Sequence, residues 1–240
     1  SGKISYKNNR LYLSNIIGKT KFGNYNINGS LPANFDYHSD KNIELKPIYI
    51  DIDAKSSSLE FITPYFPFIK DLAGTFDYTL SIYGNYKRPI RDGEIIIDDA
   101  SLNILQLDNP IKNITSYALL NNNRLIISKF SAELSQSEDK TSLINDLTAS
   151  VKNVFSTKES NGENINISGS INLESFFSPD LSVNIVGNNN YFSSSYGQFE
   201  GFASSNISIT GKDTVLISGK FEPKFNEFTI FDIENRRAGN

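Results

Sequence analysis

A short phrase built around two glycines recurs along this chain of 240 residues. Each copy has a glycine, a stretch of alternating apolar and polar residues, a second glycine and another alternating stretch. The clearest copy spans residues 74–98, and a second spans residues 201–221. Alternation with period two gives a strand one apolar and one wet face, and the glycines mark turns, bulges or close approaches of the backbone. A chain that repeats this unit is expected to form a long curled sheet, so its function depends on what covers the apolar face.

Composition narrows the class of protein. With 38% hydrophobic and 21% charged residues, the chain is neither a disordered tail nor a membrane-spanning chain. The net charge of -4 is dispersed without a basic stripe, which argues against a nucleic-acid partner. The absence of cysteine excludes disulfides and thiolate metal sites. Because the chain does not begin with methionine, we expect it to be a fragment of a longer protein that carries any anchor elsewhere.

Most of the chain has the pattern of short strands separated by Asn, Gly, Ser and Asp clusters, as in all-β proteins. The most regular tract places Ile48, Ile50, Ile52 and Ala54 on one face. The predicted fold is all-β: an elongated, curled antiparallel sheet that forms a groove, with one or two short helical insertions. Strands are predicted at residues 11–13, 21–31, 43–45, 48–54, 74–83, 93–98, 101–107, 111–120, 124–134, 165–173 and 181–185.

Three kinds of interruption are predicted between the strands. In residues 56–72, Ser57 or Ser58 caps a short helix or apolar plug that packs on the open end or edge of the sheet beginning at Gly74. Asn121 to Asn123 form a hairpin turn, because Asn tolerates the left-handed region. Residues 188–190 and 193–195 are predicted to form turns as well.

The chain is expected to be one continuous elongated body in three parts. Residues 1–134 form a first β-groove segment that includes the helical, proline-rich element near 57–72. Residues 135–164 form a polar insertion that is partly helical, because Leu143, Leu147 and Val151 recur at a spacing of about four. Residues 165–240 form a second β-groove segment.

No set of residues predicts catalysis, a metal site or a cofactor. His38 is the only histidine, and a lone histidine without cysteine is a poor metal site, so it is assigned to a turn. The pairs Asp51/Asp53 and Asp98/Asp99 are interpreted as solubilising carboxylates, because no calcium-loop pattern surrounds them. The chain is therefore predicted not to be an enzyme.

The block from Asp71 to Phe130 resembles the repeating region of the AsmA-like and TamB family of bacterial envelope proteins. The resemblance is carried by an apolar lead-in, Gly74 with its strand, Gly84, Pro89 with Gly93, and the stretches 104–114 and 121–130. Residues 197–233 are similar to the same family with less motif detail. The resemblance implies a β-taco, a curled sheet with an apolar lumen, in the periplasm of a diderm bacterium. It also implies a role in lipid transport between membranes and in outer-membrane biogenesis.

The resulting functional hypothesis is a groove that shields phospholipid acyl chains during passive transport. An inner-membrane anchor and an outer-membrane barrel protein would engage parts of the protein outside this chain. The alternative is a non-catalytic structural or adhesive module of a cell-surface protein, with a sealed solenoid or sandwich core. The residues predicted to line the groove are Ile48, Ile50, Ile52, Phe76, Tyr78, Leu80, Ile82, Leu102, Ile104, Ile126, Ile165, Ile167, Ile171, Ile207 and Ile209.

Overall fold

The structure is a computed structural model that describes residues 1–21, 23–35, 43–65, 67–134, 165–175, 177–197 and 199–230. These residues form a single antiparallel sheet of twelve strands and contain no α-helix, which confirms the predicted all-β class. The strands are β1 (Lys3–Lys7), β2 (Arg10–Thr20), β3 (Gly23–Pro32), β4 (Pro47–Ser58), β5 (Ile69–Asn85), β6 (Pro89–Ile104), β7 (Ile111–Asn121), β8 (Arg124–Leu134), β9 (Ile165–Asn172), β10 (Asp180–Ser193), β11 (Phe199–Gly211) and β12 (Leu216–Ile230).

The topology is a meander in which the order of strands in space equals their order in the chain. Each strand pairs antiparallel with the next, as short connections between consecutive strands require. β8 pairs with β9, so residues on both sides of the 135–164 segment belong to one sheet. The sheet remains open within the described part of the chain, with β1 and β12 at its edges.

The turn between β7 and β8 is the two-residue hairpin that the asparagine cluster predicts. Asn121 pairs with Arg124, and the two residues between them have φ values of 49° and 65°. Positive φ at both central positions is the mark of a type I′ turn, whose twist matches that of the flanking strands. Asn tolerates this conformation better than other residues with a side chain.

The plug predicted within residues 56–72 is shorter than expected: it is a 3₁₀ helix over Leu59–Tyr65, because residues 56–58 belong to β4 and residues 69–72 to β5. The Ser58 hydroxyl oxygen accepts a hydrogen bond from the Glu60 N–H at 3.2 Å, so Ser58 supplies the cap. Leu59 is buried against the sheet, in one cluster with Ala100, Ile114 and Ala132. The helix thus packs on the apolar face of the sheet, and not on its open end or edge as expected from the sequence.

The sheet curls strongly between β6 and β10. In a flat sheet these strands would lie about 19 Å apart, at about 4.8 Å per strand. Instead, Leu107 in the β6–β7 loop forms a β-bridge with Ser194 just after β10. The Asp108 N–H donates to the Ser193 carbonyl at 2.9 Å, and the Ser195 N–H donates to the Gln106 carbonyl at 3.2 Å. We refer to this contact between residues 106–108 and 193–195 as the clasp.

Three further local predictions were wrong. Residues 43–45 form a 3₁₀ helix and not a strand, with the Lys46 N–H donating to the Ile43 carbonyl. The predicted strands 93–98 and 101–107 are one strand, β6, whose alternation is broken by a bulge near Asp99 (φ 51°). Residues 188–190 are a bulge within β10 and not a turn, with Asn189 at φ 50°. Turns and bulges both use asparagine at positive φ, so composition alone does not separate them.

Candidate functional site: the apolar face of the sheet

Cross-strand register sorts the side chains into two faces, because directly paired residues point to the same side of a sheet. One row of paired positions crosses from β2 to β12 and is almost wholly apolar or aromatic. We call its side of the sheet the apolar face and the other side the polar face. The row consists of Gly18, Tyr25, Ala54, Tyr78, Ile95, Ala118, Ile127, Gly169, Val183, Ile209 and Ile217.

The register brings fourteen of the fifteen predicted lining residues to the apolar face. The exception is Ile126, which pairs with Leu119 and Ser170 on the polar face. It lies in the continuous apolar run 125–127, where alternation gives no signal about which residue faces which side. The neighbouring Ile127 occupies the position on the apolar face.

Sequence reasoning missed several residues that shape this face, among them Tyr25, Phe61 and Ile95. Tyr25 and Ile95 lie in alternating tracts, so the parity of their strands was the available signal. Phe61 belongs to the 3₁₀ helix and reaches the face only because the helix folds over the sheet. Such a contact between distant segments has no signature in a single sequence.

A groove of about 410 Å³ opens on the apolar face where the 3₁₀ helix meets the sheet. Its aromatic wall is continuous: the Phe61 and Phe76 ring centroids are 5.7 Å apart, and Phe76 stacks on Tyr78 at 5.5 Å. Ala54 lies in the same groove, and Ile95 lines its far side. The groove is therefore walled mainly by rings and aliphatic groups, which suits a chain of methylenes.

Burial separates an open face from a sealed core. Among the described residues, the large buried hydrophobic side chains are aliphatic only: Ile48, Leu59, Ile114, Leu120 and Leu134. The aromatic residues of the groove are only partly buried. A sandwich core would place a second layer about 10 Å above this face and bury such rings. No second layer of strands covers the face within the described part of the chain.

Polar contacts join β6 to β9 and β10 near both ends of β6. At one end the clasp joins β6 to β10. At the other end, Arg91 donates from its backbone N–H and from Nη1 to the Asn123 Oδ1, at 3.0 and 3.1 Å. Its Nη1 also donates to the Leu173 carbonyl just after β9, at 3.2 Å. These contacts hold β6 near β9 and β10 although two or three strands lie between them.

The polar face carries hydrogen-bonded carboxylates. Asp51 accepts a hydrogen bond from the Ser81 hydroxyl at 2.6 Å. Asp92 accepts from the Tyr83 hydroxyl and from the Asn122 N–H, both at 2.6 Å. The Tyr83 hydroxyl, and then the Asn122 N–H, lower the pKa of Asp92, and the same carboxylate raises the pKa of Tyr83. This side of the sheet therefore presents hydroxyl and carboxylate groups, in contrast to the apolar face.

No group of three or more His, Cys, Asp or Glu residues within the described part of the chain could hold a metal ion. His38 and the predicted insertion at 135–164 lie outside the described residues. Over the same described ranges, none of the helices has the length and hydrophobicity needed to cross a membrane. No family model, curated protein or solved structure matches the chain.

Proposed function

We propose that this chain is a lipid-shielding segment: its apolar face covers phospholipid acyl chains while the headgroups stay in water. The observation that carries the proposal is an apolar face that runs from β2 to β12 without a second layer of strands over it in the described residues. A β-sandwich buries its apolar faces against each other. An open apolar face of this extent is instead typical of a surface that binds an apolar ligand, such as an acyl chain.

The dimensions and energies are adequate for acyl chains. Twelve strands at a spacing of about 4.8 Å extend over about 50 Å along the curved sheet, against about 15 Å for the chains of one bilayer leaflet. Burial contributes about 0.8 kcal/mol per methylene, so shielding about twelve methylenes would contribute about 10 kcal/mol. The groove at Phe61, Phe76 and Tyr78 would hold part of one chain.

The mechanism is passive. No side chain takes part in a reaction. The apolar side chains lower the free energy of an acyl chain outside the membrane, and the polar face stays in contact with water. The resemblance to AsmA-like and TamB proteins supports a location in the periplasm and a part in outer-membrane biogenesis. The direction of lipid transport would be set by an inner-membrane anchor and an outer-membrane barrel protein that engage other parts of the protein.

The test is native mass spectrometry of the chain produced in a bacterial periplasm, followed by extraction and identification of bound lipid. We expect phospholipid at close to one molecule or more per chain. A lipid-free protein that also fails to bind an acyl-chain fluorophore would overturn the proposal.

A matched pair of variants locates the bound lipid. Ile167→Asp places a charge on the apolar face of β9, and Ser168→Asp places the same charge on the polar face one residue away. We expect Ile167→Asp to lower lipid occupancy at least tenfold with a melting temperature within a few degrees of the parent, and Ser168→Asp to bind normally. Loss of folding together with binding in Ile167→Asp alone would mean that Ile167 lies in a sealed core.

The second candidate is a structural or adhesive module. The buried cluster around Leu59, Ala100 and Ile114 favours it, because part of the apolar face is already covered there. A lipid-free protein with cooperative melting, in which Ile167→Asp prevents folding, is the outcome that this candidate expects.

A further inference from the structure

All four arginines of the described residues lie at one rim of the sheet, where the even-numbered strands begin and the odd-numbered strands end. This rim includes the turns that join β1 to β2, β5 to β6 and β7 to β8. The other two arginines of the chain, Arg236 and Arg237, lie outside the described residues. We call the set of four the arginine rim: Arg10, Arg88, Arg91 and Arg124.

The arginine rim carries an excess of positive charge. Between β1 and β8, three lysines add to its charge: Lys7, Lys46 and Lys87. Within three residues of the same strand ends, the described residues supply two carboxylates, Glu44 and Asp92. Glu44 is in an ion pair with Lys87 at 2.9 Å. The opposite rim of the described strands has lysine but no arginine, so the two rims offer different chemistry to an anion.

Two of these arginines donate hydrogen bonds to uncharged oxygens. Arg10 donates from Nη1 to the Pro47 carbonyl at 3.0 Å and from Nη2 to the Ser30 hydroxyl at 2.8 Å. Arg124 donates from Nε and Nη2 to the Ser170 hydroxyl, at 3.1 and 2.9 Å. Such contacts orient a guanidinium without neutralising its charge. A guanidinium is also the side chain best suited to bind a phosphate through two parallel hydrogen bonds.

The apolar face leads from this rim to the aromatic groove. Arg91 pairs with Ile82 on the apolar face, and Gly93 follows on the same side of β6. The next residue on that side is Ile95, which pairs with Tyr78 and lines the groove. At about 3.3 Å per residue, the Cα atoms of Arg91 and Ile95 are about 13 Å apart. The acyl chains of one bilayer leaflet are about 15 Å long, so a phospholipid with its phosphate at this rim would place its chain ends in the groove.

We propose that the arginine rim binds the phosphate of an anionic phospholipid whose acyl chains lie on the apolar face and end in the aromatic groove. A charged headgroup is costly to hold on an apolar surface, so it reaches water over the strand ends. There it meets the arginines, which favour a headgroup of net negative charge over one in which a choline offsets the phosphate. The inference rests on the proposed function and adds to it the class of headgroup and the rim over which the headgroup leaves the sheet.

The first test compares two soluble short-chain lipids with identical acyl chains, phosphatidylglycerol and phosphatidylcholine, below their micelle concentrations. Each lipid displaces an acyl-chain fluorophore from the purified protein. We expect phosphatidylglycerol to act at a concentration about tenfold lower, with a difference that shrinks at high salt.

The outcomes separate this proposal from the proposed function. Failure of the fluorophore to bind would overturn both, whereas fluorophore binding with equal displacement by the two lipids would overturn only the role of the arginine rim. A preference for phosphatidylglycerol that appears on vesicles and not with soluble lipids would assign the rim to a bilayer surface, and would overturn the proposal as well.

Variants at the two rims identify the residues responsible. Arg88→Gln/Arg124→Gln keeps Arg91 and should bring the affinities for the two lipids to within about twofold of each other. Arg88→Gln alone, at an exposed turn residue, should lower the preference by about threefold. Lys19→Gln/Lys55→Gln removes the same charge from the opposite rim and should leave the preference unchanged. Melting temperatures within a few degrees of the parent show that the variants are folded. An unchanged preference in both arginine variants, or an equal loss in the lysine variant, would contradict the proposal.

Discussion

At the scale of single residues, the apolar face alternates small and large side chains from β2 to β5. The Tyr25 ring lies directly over Gly18, where an added Cβ would come within 2.0 Å of the ring. Ala54 lies between Tyr25 and Tyr78 in the same row and is buried. Small neighbours let the aromatic rings pack flat against the backbone of the sheet. The space over the rings therefore remains open as a groove.

The same row has a glycine in β9 whose backbone excludes a side chain. Gly169 has φ of +131°, and a Cβ there would lie 2.1 Å from the Ser182 carbonyl oxygen. We expect Gly169→Ala to lower the free energy of unfolding by about 2–4 kcal/mol, through strain and displacement of β10. Urea denaturation measures this loss. The neighbouring Ser168→Ala, on the exposed polar face, should change it by less than about 0.5 kcal/mol. Equal stability of the two variants would contradict the backbone geometry.

At the scale of elements, hairpin turns and bulges decide how each strand meets the next. The β7–β8 turn is more than a connection, because Asn123 also ties it to β6. Its Oδ1 accepts from Arg91, and its Nδ2 donates to the Pro89 carbonyl at 3.1 Å. The turn therefore sets the spacing of three strands at the end where Arg91 reaches toward Leu173.

The two central residues of this turn should respond differently to substitution. Asn123→Ala removes these hydrogen bonds and keeps a side chain at positive φ, so we expect a loss of about 2–3 kcal/mol in unfolding free energy. Asn122→Gly changes an exposed residue at φ 49° and should leave stability unchanged or raise it by up to about 1 kcal/mol. Thermal and urea unfolding of both variants provide the comparison. Similar losses in both would mean that the turn acts only through its backbone.

At the scale of the whole molecule, curling brings together strands that are distant in the meander. The clasp is the clearest case, since Leu107 follows β6 and Ser194 follows β10, and three strands lie between β6 and β10. Curling concentrates the apolar side chains of several strands around a common space while the polar face remains wet. It is this shape that makes shielding of an acyl chain physically reasonable.

An engineered disulfide tests the curl directly. Residues in a β-bridge have Cα atoms about 4.5–5.5 Å apart, within the range that a disulfide can span. Leu107→Cys/Ser194→Cys should therefore form an intramolecular disulfide in near-quantitative yield and raise stability by up to about 4 kcal/mol, because it closes a loop of roughly 90 residues. Mass spectrometry after oxidation and unfolding with and without reductant measure both effects.

The control pair is Leu107→Cys/Ser218→Cys, which joins the same loop to the edge strand β12. This pair should remain reduced or cross-link only between molecules. Failure of the 107–194 pair to form would indicate a flatter sheet than the one described.

The sequence by itself determined the all-β class, the positions of most strands, the Asn122–Asn123 turn and the face of fourteen of the fifteen proposed lining residues. These are local properties, because period-two alternation and asparagine at positive φ need only neighbouring residues. Tertiary structure alone decided that Ile127 and not Ile126 joins the apolar face, that Phe61 folds over Phe76, and that the clasp curls the sheet. Each of these depends on strand register and on contacts between segments that are far apart in the chain. Patterns among neighbouring residues carry no information about such contacts.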